Sequence, residues 1–150
     1  MPENHTWSVR IAGTEDNQAR VFTRSNRLEI GAPLSFDPEY GELTAIDCVL
    51  GAVGADIVNG FRLLAEHRGI AIDHIEAVVS GELENALAFL GVVGEEGSPR
   101  ISVVSVRVFV SSPASNSEID DVWQLALARS PLACTFASLT SFDAQIATSI

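Results

Sequence analysis

Three short stretches of alternating apolar and polar residues open the chain, at positions 7–11, 18–23 and 27–30. Polar turns at 13–17 and 24–26 divide them, a pattern that predicts a meander of short strands. Residues 31–41, with Pro33 and Pro38, predict a linker. The next stretch, 44–66, predicts the main helix. Thr44 can cap it and Asp47, three residues on, can close a capping box. Gly69 stands just past its end, after His67 and Arg68, where cations suit the carboxyl-terminal dipole. About 23 residues make a rod of roughly 35 Å. No polar side chain occurs between Cys48 and Ala55, so this part of the helix is expected to be buried on all sides. A helix packed between a sheet and another helix, from this chain or from a second subunit, would need that.

Strand periodicity returns after Gly69. Across 70–84, Ile75, Ala77, Val79 and Leu83 share one face, while His74, Glu76 and Ser80 share the other. Residues 100–110 repeat the habit with Val104, Val106, Val108 and Val110, and the two segments predict long antiparallel strands. Between them, 85–99 holds an apolar stretch, Leu87 to Val93, and an acidic turn at 94–97. It is read as a connecting flap or an inter-subunit contact. Ser115 or Ser117 caps a second helix to about Ala128, with the stripe Ile119, Val122, Trp123 and Ala126. Ser130-Pro131 ends that helix and starts a short new one. Residues 142–150 predict a last strand. The fold class is therefore α+β, with 1–150 forming a single domain.

Composition narrows the function. With 150 residues, 47% of them hydrophobic and 19% charged, the chain is long enough for one real core. The net charge of −11 argues against nucleic acid or an anionic membrane surface as partner, since both need a basic patch. Arg20, Arg24 and Arg27 form the only basic cluster, and Glu15, Asp16 and Glu29 lie close in sequence. No amino-terminal signal pattern is visible. Asp47, Asp56, Arg62 and Glu66 interrupt the main helix as a membrane span. A soluble cytoplasmic protein is expected. Cys48 and Cys134 form neither a disulfide framework nor a zinc pattern. His5, His67 and His74 are scattered, and neither a phosphate loop nor a serine elbow is present. No cofactor or metal is expected.

The order of elements resembles that of the OsmC/Ohr family. Gly41-Glu-Leu-Thr-Ala-Ile-Asp-Cys-Val-Leu-Gly-Ala-Val-Gly-Ala-Asp56 is similar to the family's helix motif, which ends in Ala/Ser-Cys. Gly69-Ile-Ala-Ile-Asp-His-Ile-Glu-Ala-Val-Val-Ser-Gly81 resembles the strand motif that follows, and Ser130-Pro131-Leu132 stands where the family has Cys-Pro or Ser-Pro. The resemblance covers roughly residues 7–150. It implies an intertwined homodimer with the buried helices at its centre. It also implies a stress-response enzyme, an organic hydroperoxide reductase, in which a peroxidatic cysteine on the main helix is resolved by a cysteine before the proline.

On this registration Asp56 takes the peroxidatic place and Ser130 the resolving place. A carboxylate cannot form a sulfenic acid, and serine cannot close a disulfide. The resemblance also implies an arginine and a glutamate beside the active cysteine. Arg20 is the candidate for the first, while the second place holds Ile46 next to Asp47. Asp56 has two readings: a charge on the helix's polar stripe with Asn59, Arg62 and Glu66, or a pocket carboxylate able to act as base or bind a cation. Cys48 reads as a buried structural thiol and Cys134 as facing the core of its short helix. The leading expectation is an OsmC-like homodimer that binds a small apolar molecule at a pocket on its subunit boundary, or serves a structural role. Its rivals are a reductase that uses Cys48 and Cys134 as a displaced redox pair, and a hydrolytic or isomerising enzyme that uses Asp56.

Overall fold

A computed structural model describes residues 4–149. It contains six strands and four helices among these residues, with two three-stranded sheets. The fold is α+β. Two compact units divide it, one ending at Val49 and the other starting at Leu50.

The first unit is the strand meander. β1 (Arg10–Gly13), β2 (Ala19–Phe22) and β3 (Arg27–Ile30) pair antiparallel in that order. Ladder pairing begins at Arg10 opposite Phe22, so β1 starts later than its alternation suggested. Trp7 and Val9 continue the pattern but stay exposed outside the ladder. Arg20 and Glu29 face each other across β2 and β3 and form an ion pair of 2.9 Å. The linker turns back on β3 through the Gly31 amide, which donates to the Leu43 carbonyl, and through the Ala32 amide, which donates to the Tyr40 hydroxyl.

Helix α1 (Ala45–His67) begins in the first unit and runs into the second. Its start is a capping box. The Asp47 amide donates to Thr44 Oγ1 at 3.1 Å, and the Thr44 amide donates to Asp47 Oδ2 at 3.0 Å. These two bonds hold the Asp47 carboxyl below its ordinary value of 3.8. Gly69 ends the helix at φ 68°, a conformation that suits a residue without Cβ. The Ile70 amide then reaches back to the Ala65 carbonyl.

The second unit is built on a sheet of β4 (His74–Leu83), β5 (Ile101–Ser111) and β6 (Ser141–Ser149), in that order. β4 and β5 are antiparallel, and β6 runs parallel to β5. The core face carries Ile75, Ala77 and Val79 from β4, the four alternate valines 104–110 from β5, and Phe142, Ala144 and Ile146 from β6. One stripe of α1, Val53, Ile57, Phe61 and Ala65, joins this core, together with Ile119, Val122, Trp123 and Ala126 of α3 (Asn116–Arg129). Gly54 lets the helix sit close to the sheet, because a Cβ there would lie 2.9 Å from Val79 Cγ2. Ser115 and Glu118 form a second capping box at the start of α3, and it lowers the Glu118 carboxyl below 4.5.

Several expectations need correction. The central helix is not buried on all sides within one chain. Gly51, Ala52 and Ala55 are exposed and Val49 is 37% exposed, because the core takes up only one side of the apolar run. By length and composition α1 could also cross a membrane, although its stripe is packed into a protein core. The strand after Gly69 begins only at His74; Ile70 and Ile72 lie in the turn before it and pack against the core. Segment 85–99 includes a short helix, α2 (Ala86–Phe89), capped by Asn85. Leu87, Leu90 and Val93 of this segment are exposed.

Candidate functional site

Ser130 stands at the junction of two helices. Pro131 disfavours helical backbone at the residue before it, and Ser130 adopts an extended conformation of φ −81° and ψ 115°. It therefore ends α3 and caps α4 (Pro131–Leu139). Its hydroxyl oxygen accepts the Ala133 amide at 3.0 Å, and its hydrogen goes to Asp56 Oδ2 at 2.5 Å. The Leu132 amide donates to the same carboxylate oxygen at 3.1 Å. Asp56 thus sits at the positive end of α4, where the free amides of a first turn and the helix dipole both favour an anion. Ser130 is only 4% exposed, so its pairing with the half-buried Asp56 also satisfies a buried hydroxyl.

A cavity of about 210 Å³ opens beside this pair, lined by Asp56, Gly60, Leu63, Leu64, His67, Ala126, Arg129 and Ser130. Five of these residues recur at helical spacing along α1, and Arg129 is the last residue of α3. The volume falls below the range of roughly 300–1,000 Å³ typical of sites for drug-sized ligands. The space suits a smaller molecule. Its walls combine leucine and alanine side chains with one carboxylate, one guanidinium and one imidazole.

The two residues that the family registration pairs, Asp56 and Ser130, are in direct contact. Asp56 is neither on a purely solvated stripe nor paired with an arginine; it is bonded to the start of α4. Arg20 is engaged with Glu29 inside the meander. The arginine that lines the cavity is Arg129, which sequence reasoning passed over. His67 was noted only as a residue at a helix end. The spacing of Asp56, Gly60, Leu63, Leu64 and His67 would have revealed both a shared helix face and its histidine.

The cysteines lie elsewhere. Cys48 is half-buried in the first turns of α1, and Cys134 is exposed, in contrast to the core position expected for it. Ala133 and Phe136 take the inward positions of α4, which turns Cys134 outward into a separate groove with Gln124, Leu127, Phe142 and Asp143. Its thiol lies 3.5 Å from the Ala128 carbonyl oxygen. Both cysteines are free thiols. No group of three or more histidine, cysteine or acidic side chains that could hold a metal occurs among the described residues.

A family model for OsmC-like proteins matches residues 38–144, more than half of the chain. The chain belongs to the OsmC-like protein family. Solved structures agree on the fold of this OsmC-like chain. An OsmC-like protein from Mycoplasma pneumoniae superposes with a TM-score of 0.80 at 15% identity, covering 99% of this chain and 100% of that one. An organic hydroperoxide resistance protein OsmC from Legionella pneumophila, described as a predicted redox protein, gives 0.64 at 11% identity and covers 98% and 100%. The organic hydroperoxide resistance protein OhrB of Bacillus subtilis gives 0.60 at 10% identity and covers 94% and 98%. No curated protein sequence matches the chain.

Proposed function

We propose that this OsmC-like chain is a soluble, cytoplasmic binding protein whose Asp56–Ser130 cavity holds a small, largely apolar molecule, and that it does not use the family's thiol chemistry. The observation that carries the reading is the 2.5 Å bond from Ser130 to Asp56. At the places that resemble the peroxidatic and resolving positions, a carboxylate and a hydroxyl hold each other, and neither can cycle between thiol and disulfide. The apolar wall of Leu63, Leu64 and Ala126 supplies burial for a ligand.

The chain works as one domain and as a homodimer. Support for one domain comes from the family match over residues 38–144, which spans the boundary between residues 49 and 50. Support for a dimer comes from the uncovered face of α1, where Gly51, Ala52, Ala55 and Leu63 are exposed. Leu63 also lines the cavity, so a second copy laid on this face would close the pocket. Light scattering at micromolar concentration is expected to give twice the chain mass.

Turnover of cumene hydroperoxide with a dithiol reductant tests the central reading. Only background consumption is expected. Substantial thiol-dependent turnover that disappears in Cys48→Ser or Cys134→Ser would assign the chemistry to the displaced cysteines and overturn the binding role. Hydrolytic or isomerising turnover lost in Asp56→Asn would overturn it in favour of the carboxylate.

A further inference from the structure

Four kinds of group meet in the Asp56 cavity: a carboxylate, a guanidinium, an imidazole and aliphatic side chains. Their partners differ. Asp56 Oδ2 already takes two hydrogen bonds, from the Ser130 hydroxyl and the Leu132 amide. The carboxylate also lies at the amino-terminal end of α4, so much of its charge is compensated before any ligand arrives. Arg129 is in a different state. Among the described residues it forms no salt bridge, and its guanidinium carries five donors in a fork that fits a carboxylate in two-point contact. His67 lines the same cavity and adds a ring N–H donor in either charge state.

Resting on the small-molecule reading above, we infer that the cavity selects a short-chain carboxylate, with its head group on Arg129 and His67 and its alkyl tail against Leu63, Leu64 and Ala126. The chemistry of the lining favours a carboxylate over the simpler alternatives. A neutral apolar ligand would offer no charged partner to the guanidinium, which is exposed to solvent in the free protein. An amine would face Arg129 as a like charge, and Asp56 Oδ2 already holds two donors. A carboxylate pairs the open donor group and leaves the Asp56–Ser130 bond intact. The volume of about 210 Å³ limits the tail to a short chain. The net charge of −11 opposes anions at long range, but screening at physiological salt confines that field to about 8 Å, so local pairing decides.

The test titrates hexanoate, hexanol and hexylamine into the full-length protein. Amide chemical shifts of Gly60, Leu63, Ala126 and Ser130 report the cavity, and calorimetry reports affinity. Hexanoate is expected to shift these amides and to bind at least about tenfold more tightly than hexanol, the scale of one charge-assisted hydrogen bond. Arg129→Gln, with its fold checked by circular dichroism, is expected to erase that preference for hexanoate over hexanol. His67→Gln is expected to reduce it in part. Equal binding of hexanol, or tighter binding of hexylamine, overturns the carboxylate inference and leaves the cavity reading standing. An absence of shifts with all three probes overturns both.

Discussion

Ser130 and Asp56, 74 positions apart in the chain, are joined by a hydrogen bond of 2.5 Å that ties the middle of α1 to the start of α4. The bond has a structural consequence that can be measured apart from any ligand. Removing the acceptor with Asp56→Ala strands a buried hydroxyl, which costs about 1–3 kcal/mol. Ser130→Ala removes the donor and the helix cap together, at about 1–2 kcal/mol. Because the two residues share one bond, the double variant is expected to lose less than the sum of the singles. Urea denaturation of the four proteins measures this coupling, and strict additivity would show that the bond contributes nothing to the fold.

Gly54 sets the distance between α1 and the sheet. With 2.9 Å available to a Cβ before Val79 Cγ2, Gly54→Val must push the helix outward or force Val79 from its rotamer. A loss of about 1–3 kcal/mol is expected from overpacking. Gly60, where a Cβ would meet nothing within 4 Å, is the control. Gly60→Ala is expected to be neutral or slightly stabilising, because alanine favours helix more than glycine does. Thermal melts of both variants check the contrast, and equal effects would remove the close-approach explanation.

Local signals made much of this fold readable in advance. Thr44 with Asp47, Gly69, and Ser130 with Pro131 mark helix ends through bonds to near neighbours, and each is a boundary or cap in the structure. The alternate valines of β5 declare their core face in the same way. What depends on distant partners was harder to see. The apolar run from Cys48 to Ala55 says nothing about which of its sides the chain itself covers, and Gly51, Ala52 and Ala55 are exposed. Cys134 is exposed because Ala133 and Phe136 claim the inward positions of α4. The meeting of Asp56 with Ser130 was expected only through a family resemblance, and Arg129 carried no sign of its place until α3 and α1 were packed together.

Acid is expected to weaken the helix starts. Asp47 and Glu118 are both held below their ordinary values of 3.8 and 4.5 by hydrogen bonds within their capping boxes. A carboxyl with a depressed folded value contributes stability that is complete above its unfolded value and declines as pH falls toward the folded one. The decline should therefore begin near pH 4.5 for Glu118 and near 3.8 for Asp47, and continue below. Glu118→Gln and Asp47→Asn are expected to flatten this part of a stability profile measured by denaturation between pH 3 and 7. Unchanged slopes in both variants would show that the caps do not contribute to the acid transition.

The last prediction uses the Ser130–Asp56 contact in reverse. Serine and cysteine place their terminal atom on the same carbon, and the 2.5 Å separation seen here is between Ser130 Oγ and an Asp56 oxygen one bond beyond the atom that a cysteine sulfur would replace. A disulfide needs about 2.05 Å between sulfurs, and the longer carbon–sulfur bonds supply part of the approach. The double substitution Asp56→Cys with Ser130→Cys, placed in a background with Cys48→Ser and Cys134→Ser, is expected to oxidise within one chain. Mass spectrometry after alkylation should find both introduced thiols protected, and a dithiol should release them. Since the first turn of α4 favours an anion at position 56, a thiolate there would also be stabilised, so this variant is expected to show dithiol-dependent hydroperoxide turnover above that of the starting protein. Two thiols that stay reactive after oxidation would show that positions 56 and 130 are bonded partners without the geometry of a redox pair.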